Sequence, residues 1–151
     1  YFQEQSTKPQ TLAHALMDSP VGTAAWILEK FHGWSDLADH GDIARVYSKD
    51  QLLTNVMIYL VTDSIATSVW YYRARVEEGG VALEPGQRCE TPTAFANFPG
   101  ERIFTAPPKS WAERAYNLVR WTDMPDGGHF AAMEKPDAFV AELRDWARSL
   151  A

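Results

Sequence analysis

Cysteine is almost missing from this chain: Cys89 stands alone among 151 residues. One thiol makes neither an internal disulfide nor a zinc cluster, which fits a reducing or redox-indifferent setting. Positive charge is also scarce. Fourteen Lys and Arg face 20 Asp and Glu, giving a net charge of −6 and a pI near 5.1. That balance argues against a nucleic-acid partner or an anionic membrane surface, both of which call for a basic face. Long apolar runs are lacking too. The most apolar stretch, Leu52 to Trp70, is interrupted by Asn55, Thr62, Asp63, Ser64, Thr67 and Ser68, whereas a membrane span needs about 20 predominantly apolar residues. No repeat, low-complexity tract or signal-like segment occurs, so the expected location is cytoplasmic, with an upstream anchor left open. A start at Tyr1 rather than Met leads us to expect a portion of something longer.

What is present is the material of a globular fold: 46% hydrophobic, 23% charged and 13% aromatic residues, six of them Trp. Residues Tyr1 to Thr11 are polar and read as extended, with Pro9 biasing Lys8 away from helix. A short helical stretch is expected over Leu12 to Met17. Ser19-Pro20 marks a helix start, and Val21, Ala24, Ala25, Leu28 and Phe31 fall on one helical face, up to Gly33. Trp34 to Val46 reads as a polar loop. Ser48 with Gln51 forms a capping box, flanked by Tyr47 and Leu52 as a hydrophobic staple. Helix is then expected to about Tyr72, broken near Asp63-Ser64, with a glycine-rich loop over Glu77 to Gly86.

Beyond Gly86 the pattern changes. Thr91 to Phe98 and Asn117 to Thr122 read as strands, each closed by Pro and Gly. Between them Pro107 and Pro108 suggest a loop leading to Trp111 and Tyr116. A last helix is expected from about Pro136, with Phe139, Val140, Leu143, Trp146, Ala147 and Leu150 along one face. Two strands alone cannot make a stable sheet, so the expected class is α/β, with the sheet completed by a segment elsewhere.

Two loops can carry chemistry. Asp126-Gly127-Gly128-His129-Phe130 places a histidine after two glycines at the carboxyl end of a strand, where the chain turns tightly and an imidazole works as a base near neutral pH. Phe98-Pro99-Gly100-Glu101 places a carboxylate after the preceding strand, where it can orient such a base. Acid before histidine is the chain order of α/β-hydrolases. Asp123 and Asp126 are poorer candidates for the acid because they sit at the strand end or in the turn itself. His14, His32 and His40 have no partner at catalytic or metal spacing. Glu134 is expected to serve the first turn of the final helix.

The run Gly127-Gly128-His129-Phe130-Ala131-Ala132-Met133-Glu134-Lys135-Pro136 resembles the histidine segment of microsomal-type epoxide hydrolases, members of the α/β-hydrolase superfamily. Asp18 to Phe31 and Asp50 to Tyr59 resemble segments that follow the family's lid, and Pro92 to Glu101 its acid segment. The resemblance runs over essentially the whole chain and implies the C-terminal part of an α/β-hydrolase fold. Residues 1–80 would be lid remainder and following helices, and 81–151 the C-terminal part of the core. Carried over by position, Glu101 corresponds to the charge-relay acid and His129 to the water-activating base. Tyr1, in a run resembling Tyr-x-x-x-Gln-x-Thr-Lys-Pro, and Tyr72, in Trp70-Tyr71-Tyr72-Arg73, fall on the two lid tyrosines that hold and protonate the epoxide oxygen; Tyr71 reads as a packing residue.

The family's aspartate nucleophile and oxyanion loop have no counterpart in 1–151, so the resemblance places them on an upstream segment, the first expected partner of this chain. The implied reaction hydrolyses an apolar epoxide to a vicinal diol through an alkyl-enzyme ester, with no metal or organic cofactor, in a protein that also admits a homodimer. An esterase or haloalkane dehalogenase of the same fold, and a non-catalytic binding protein that kept the architecture, are the alternatives. The tyrosine pair favours the epoxide, because an ester or halide has no use for two phenols.

Overall fold

The computed structural model describes residues 1–37, 41–80 and 83–150. The chain divides into two compact units, one formed by Tyr1–Lys30 with Ser48–Ala82 and the other by Phe31–Tyr47 with Leu83–Ala151.

The first unit is helical. It holds α1 (Phe2–Thr7), α2 (Pro9–Asp18), most of α3 (Pro20–Trp34), α4 (Lys49–Val61), α5 (Ile65–Ser68) and α6 (Tyr71–Glu77). The expected extended start is therefore helical. Lys8 does stay outside helical geometry, at φ −134° and ψ 62°, as a residue before proline should. Pro9, however, occupies the first position of α2, where its missing N–H costs nothing. Gln5 and Ser6 are buried on α1, α1 packs against α6 and α2 against α5, and Arg73 Nη1 donates to the Thr7 carbonyl at 3.2 Å. The α3 start is capped as expected, with the Gly22 N–H donating to Ser19 Oγ at 2.9 Å. The capping box of α4 closes in both directions, Ser48 N–H to Gln51 Oε1 at 2.8 Å and Gln51 N–H to Ser48 Oγ at 3.1 Å. The break at Asp63 is sharp, for this residue takes φ 51°. Ala13, Leu16, Ile65 and Val69 form the core of the unit, with Leu12, Trp26, Ile27 and Tyr59 packed on it. No single helix among the described residues is long and apolar enough to cross a membrane.

The second unit is built on β1 (Cys89–Asn97) and β2 (Tyr116–Asp123), paired in parallel. Parallel neighbours need a crossover, and here it contains α7 (Lys109–Ala115), where a loop was expected. Pro107 and Pro108 stand before the helix rather than breaking it, and Pro108 is its N-cap. The strands are in register over Phe95↔Trp121 and Asn97↔Asp123, and the Phe95 and Trp121 rings stack at 4.3 Å. A short α8 (Ala131–Glu134) precedes α9 (Pro136–Ser149). Arg120 ties β2 to α9 by a fork, Nε to Glu142 Oε1 at 2.5 Å and Nη2 to Oε2 at 2.7 Å. Arg120 accordingly holds the Glu142 carboxyl below its ordinary range. The apolar face expected on α9 is only partly covered: Val140, Leu143 and Leu150 are exposed.

In the polar stretch before α4, a short 3-10 turn runs over Ile43–Arg45, with Asp42 Oδ1 accepting from the Ala44 N–H. His40, named above, lies outside the described residues.

Candidate active site

Parallel pairing puts the ends of β1 and β2 side by side, and the two loops that leave them meet. The Gly100 N–H donates to the Gly127 carbonyl at 2.8 Å, and the Met124 N–H to the Asn97 carbonyl at 2.8 Å. Gly127 takes φ 105°, a left-handed conformation that a side chain resists. Gly128 is needed for a different reason: a Cβ there would stand 2.6 Å from the Asp36 backbone nitrogen. The chain therefore passes close to the Ser35-Asp36 segment just before it reaches His129.

The outcome is an imidazole facing a carboxylate. His129 Nδ1 lies 2.8 Å from Glu101 Oε2, with both side chains about one-quarter exposed. With the proton on Nδ1 donated to Glu101, Nε2 is left with a lone pair and can accept a proton from water. Glu101 is itself fixed: its Oε1 accepts from the Ile103 N–H at 2.6 Å and the Phe104 N–H at 3.3 Å. Burial raises its pKa, but the Ile103 N–H and His129 outweigh burial and hold the carboxyl below its ordinary range. The acid is thus kept ionised opposite the imidazole. Aromatic rings enclose the histidine: Trp34 edge-on at 5.0 Å, Phe130 edge-on at 5.0 Å and Phe104 at 6.1 Å. An open cleft of about 680 Å³ borders the pair, lined by Phe95, Phe98, Phe104 and Pro107 together with Glu101 and His129.

The two other aspartates of this region have partners of their own. Asp123 accepts from Asn97 Nδ2 at 2.9 Å and Trp121 Nε1 at 3.1 Å, bonds that lower its pKa. Asp126 pairs with Lys135 Nζ at 2.5 Å. His14 and His32 are exposed on helices of the chain. Among the described residues no group of three His, Cys, Asp or Glu side chains could hold a metal ion.

In the helical unit, Tyr1 and Tyr72 meet edge to face at 5.5 Å. Tyr72 is also touched edge-on by Phe2 at 5.6 Å and by Tyr71 at 5.6 Å. Tyr72 is half-buried, whereas Tyr71 is 63% exposed. Burial pushes the Tyr72 phenol above its ordinary value, and the Tyr1 hydroxyl, hydrogen-bonded to it, adds to the rise. A phenol held protonated is equipped to donate. Lys30 Nζ lies over the Tyr1 ring at 5.5 Å.

The sequence reading missed a third feature, the buried carboxylate of Glu134. It ends α8 instead of opening the final helix, is only 9% exposed, and accepts from three backbone N–H groups: Asp36 at 2.8 Å, Gly128 at 2.9 Å and Phe130 at 2.8 Å. Behind it Tyr47 is 1% exposed, with its hydroxyl 2.6 Å from Ser35 Oγ. Burial pushes the Tyr47 phenol up to about 12; its Ser35 bond works against this, and the neighbouring Glu134 carboxylate adds to it. The staple expected of Tyr47 gave no hint of this polar role.

No family model matches the chain. Individual proteins do. The chain is 41% identical to epoxide hydrolase 1 of Oryctolagus cuniculus over 95% of its length, which is 32% of that protein. It is 40% identical to juvenile hormone epoxide hydrolase 1 of Ctenocephalides felis over 95% of its length, again 32% of the relative. Its structure superposes on that of juvenile hormone epoxide hydrolase from Bombyx mori with a TM-score of 0.84 at 32% identity, covering 99% of this chain and 39% of the other. The chain therefore spans about a third of the length of the curated relatives it matches. Over nearly all its residues the chain is similar to a C-terminal portion of epoxide hydrolases, proteins of the α/β-hydrolase fold.

Proposed function

We propose that the protein carrying this chain hydrolyses epoxides to vicinal diols in two steps. In the first, an aspartate of a segment outside this chain attacks an epoxide carbon. The C–O bond breaks, an alkyl-enzyme ester forms, and the departing oxygen takes a proton from the phenol pair Tyr1 and Tyr72. Two donors suit that step because alkoxide charge develops at one oxygen, and each O–H stabilises it there. In the second step His129 Nε2 takes a proton from water, and the hydroxide adds to the ester carbonyl. Collapse of the tetrahedral adduct breaks the bond to the diol oxygen, which takes the imidazolium proton as it leaves. The water's second proton returns through solvent to the deprotonated phenol, so that aspartate, His129 and the tyrosine pair are all restored. Glu101 stabilises the imidazolium formed meanwhile. Neither step calls for a metal or organic cofactor. On this reading 1–80 is lid remainder with its following helices, and 81–151 is the C-terminal part of the core.

The observation that carries the reading is the His129 Nδ1 to Glu101 Oε2 contact of 2.8 Å, joined by its own loop contacts and bordered by an aromatic cleft. The aromatic lining favours an apolar epoxide, an aryl or long-chain alkyl compound. The names of the relatives point the same way, since several are epoxide hydrolases.

Atom balance supplies the test. A single turnover of the full-length protein in ¹⁸O-water should leave the label on an enzyme carboxylate and none in the first diol, because the aspartate donates its own oxygen and recovers one from water. Label in the first diol would mean direct attack by water and would remove the ester from the scheme.

A further inference from the structure

The geometry points to Glu134 as the positioning residue for His129, a role it fills by holding the backbone on both sides of the imidazole. The inference rests on the reading of His129 as the base.

Four consecutive N–H groups, 127 to 130, are each committed to a named acceptor: Gly127 to Asp36 Oδ2 at 3.0 Å, Gly128 to Glu134 Oε2 at 2.9 Å, His129 to the Trp34 carbonyl at 3.2 Å, and Phe130 to Glu134 Oε1 at 2.8 Å. Glu134 thus grips the residues immediately before and after His129 with its two oxygens. Its Oε2 also accepts from the Asp36 N–H at 2.8 Å, which fastens the Trp34-to-Asp36 segment whose other atoms hold Gly127 and His129. A loop with glycines at 127 and 128 has little intrinsic rigidity, so direction must come from outside it. A buried carboxylate with three amide donors is a stable anchor, because charge-assisted bonds replace the water it has lost. Such fixing matters because a displacement of about 1 Å at a reacting group costs on the order of a hundredfold in rate. Glu134 touches neither the imidazole nor the cleft, so its effect passes through the backbone.

Loss of this anchor should slow one of the two steps and spare the other. In the full-length protein, Glu134→Gln retains one carbonyl oxygen and turns the other acceptor into an amide donor facing N–H groups. Ester formation by a chosen aryl epoxide should stay within about twofold, since it needs no base. Ester hydrolysis should slow by roughly ten- to a hundredfold. The low-field proton NMR signal of His129 Nδ1–H, identified by its loss in His129→Gln, should broaden or shift in Glu134→Gln. Asp36→Ala, which frees only the Gly127 N–H, should show the same selective pattern at smaller size, and it carries the test if Glu134→Gln does not fold. Unchanged hydrolysis and an unchanged proton signal would overturn the inference. So would parallel loss of both steps together with the melting temperature, the mark of a merely structural residue. If the unsubstituted protein forms no ester, the functional reading fails instead, and the proton signal still decides whether Glu134 positions His129.

Discussion

The two groups of candidate residues are held by different physics. His129 and Glu101 sit among directional bonds: every amide from 127 to 130 has a named acceptor, and Glu101 receives two more. Tyr1 and Tyr72 meet ring edge to ring face as well as through their hydroxyls, and Phe2 and Tyr71 add further ring edges around Tyr72. Hydrogen bonds weaken steeply with misalignment, whereas aromatic edges tolerate a range of tilt and distance. In the proposed scheme, a base that must aim a water molecule at one carbonyl carbon would benefit from the first kind of support. In the same scheme, a pair of proton donors that must follow an oxygen as its C–O bond opens would be well served by the second.

The comparison can be broken most severely at the base. His129→Gln should leave ester formation intact and slow turnover by about a thousandfold or more, with the intact protein mass rising by one substrate as the ester accumulates. Release of diol at the unsubstituted rate would end the role assigned to His129. The opposite lesion lies in the phenols. Tyr72→Phe should slow ester formation by about a hundredfold and leave hydrolysis of preformed ester alone, while Tyr71→Phe changes either step by less than twofold; rapid-mixing kinetics separate the two. An equal loss in both tyrosine variants would show that the side chains serve packing alone.

How much of this was legible in the sequence depended on the range of the interaction. Caps and strands were readable because Ser19, Ser48 and Gln51 act within one turn, and β1 and β2 carry β-branched and aromatic residues closed by Pro and Gly. The pairing of acid and base was readable because both loops follow their strands directly. The helices α1 and α7 were hidden by prolines that can equally end an extended segment or open a helix; packing on α6 settles the first. Glu134 could not be foreseen as an anchor, for one of its donors, Asp36, lies 98 residues away. Nothing local to Glu134-Lys135-Pro136 distinguishes a buried acceptor from an ordinary first-turn glutamate. Asp36, 91 residues from its Gly127 donor, was unreadable for the same reason.

Two smaller changes sharpen the contrast by loosening the bonded region without touching the imidazole. Gly128→Ala sets a methyl group 2.6 Å from backbone nitrogen, so the loop or the Asp36 segment must move; a loss of about 2 kcal/mol is expected, read by chemical denaturation. Tyr47→Phe deletes the hydroxyl paired with Ser35 and should cost about 1 kcal/mol at neutral pH. Its pH dependence has a definite sign. The folded protein keeps the Tyr47 proton up to about 12, above the phenol's value in the unfolded chain. This stabilisation is complete below the unfolded value and is lost as pH rises toward the folded one. The stability of the unsubstituted protein should therefore fall more steeply than that of Tyr47→Phe between about pH 10 and 12, and parallel curves would show that the phenol is not protected.

The parallel register of β1 and β2 has a consequence for how the chain can vary. Asn97 and Asp123 are paired across the strands, and Glu101 and His129 each hang a few residues beyond that pair. The distance between Glu101 and His129 is set by strand pairing and by loop-to-loop bonds, whereas the path through α7 brings the chain back from one strand to the next. Beyond Pro107, which still lines the cleft, that path is a tether. Residues can be added or removed at Pro108, ahead of α7, without changing the span between Glu101 and His129, so length variation in such chains is expected to collect there and to spare the segments on either side.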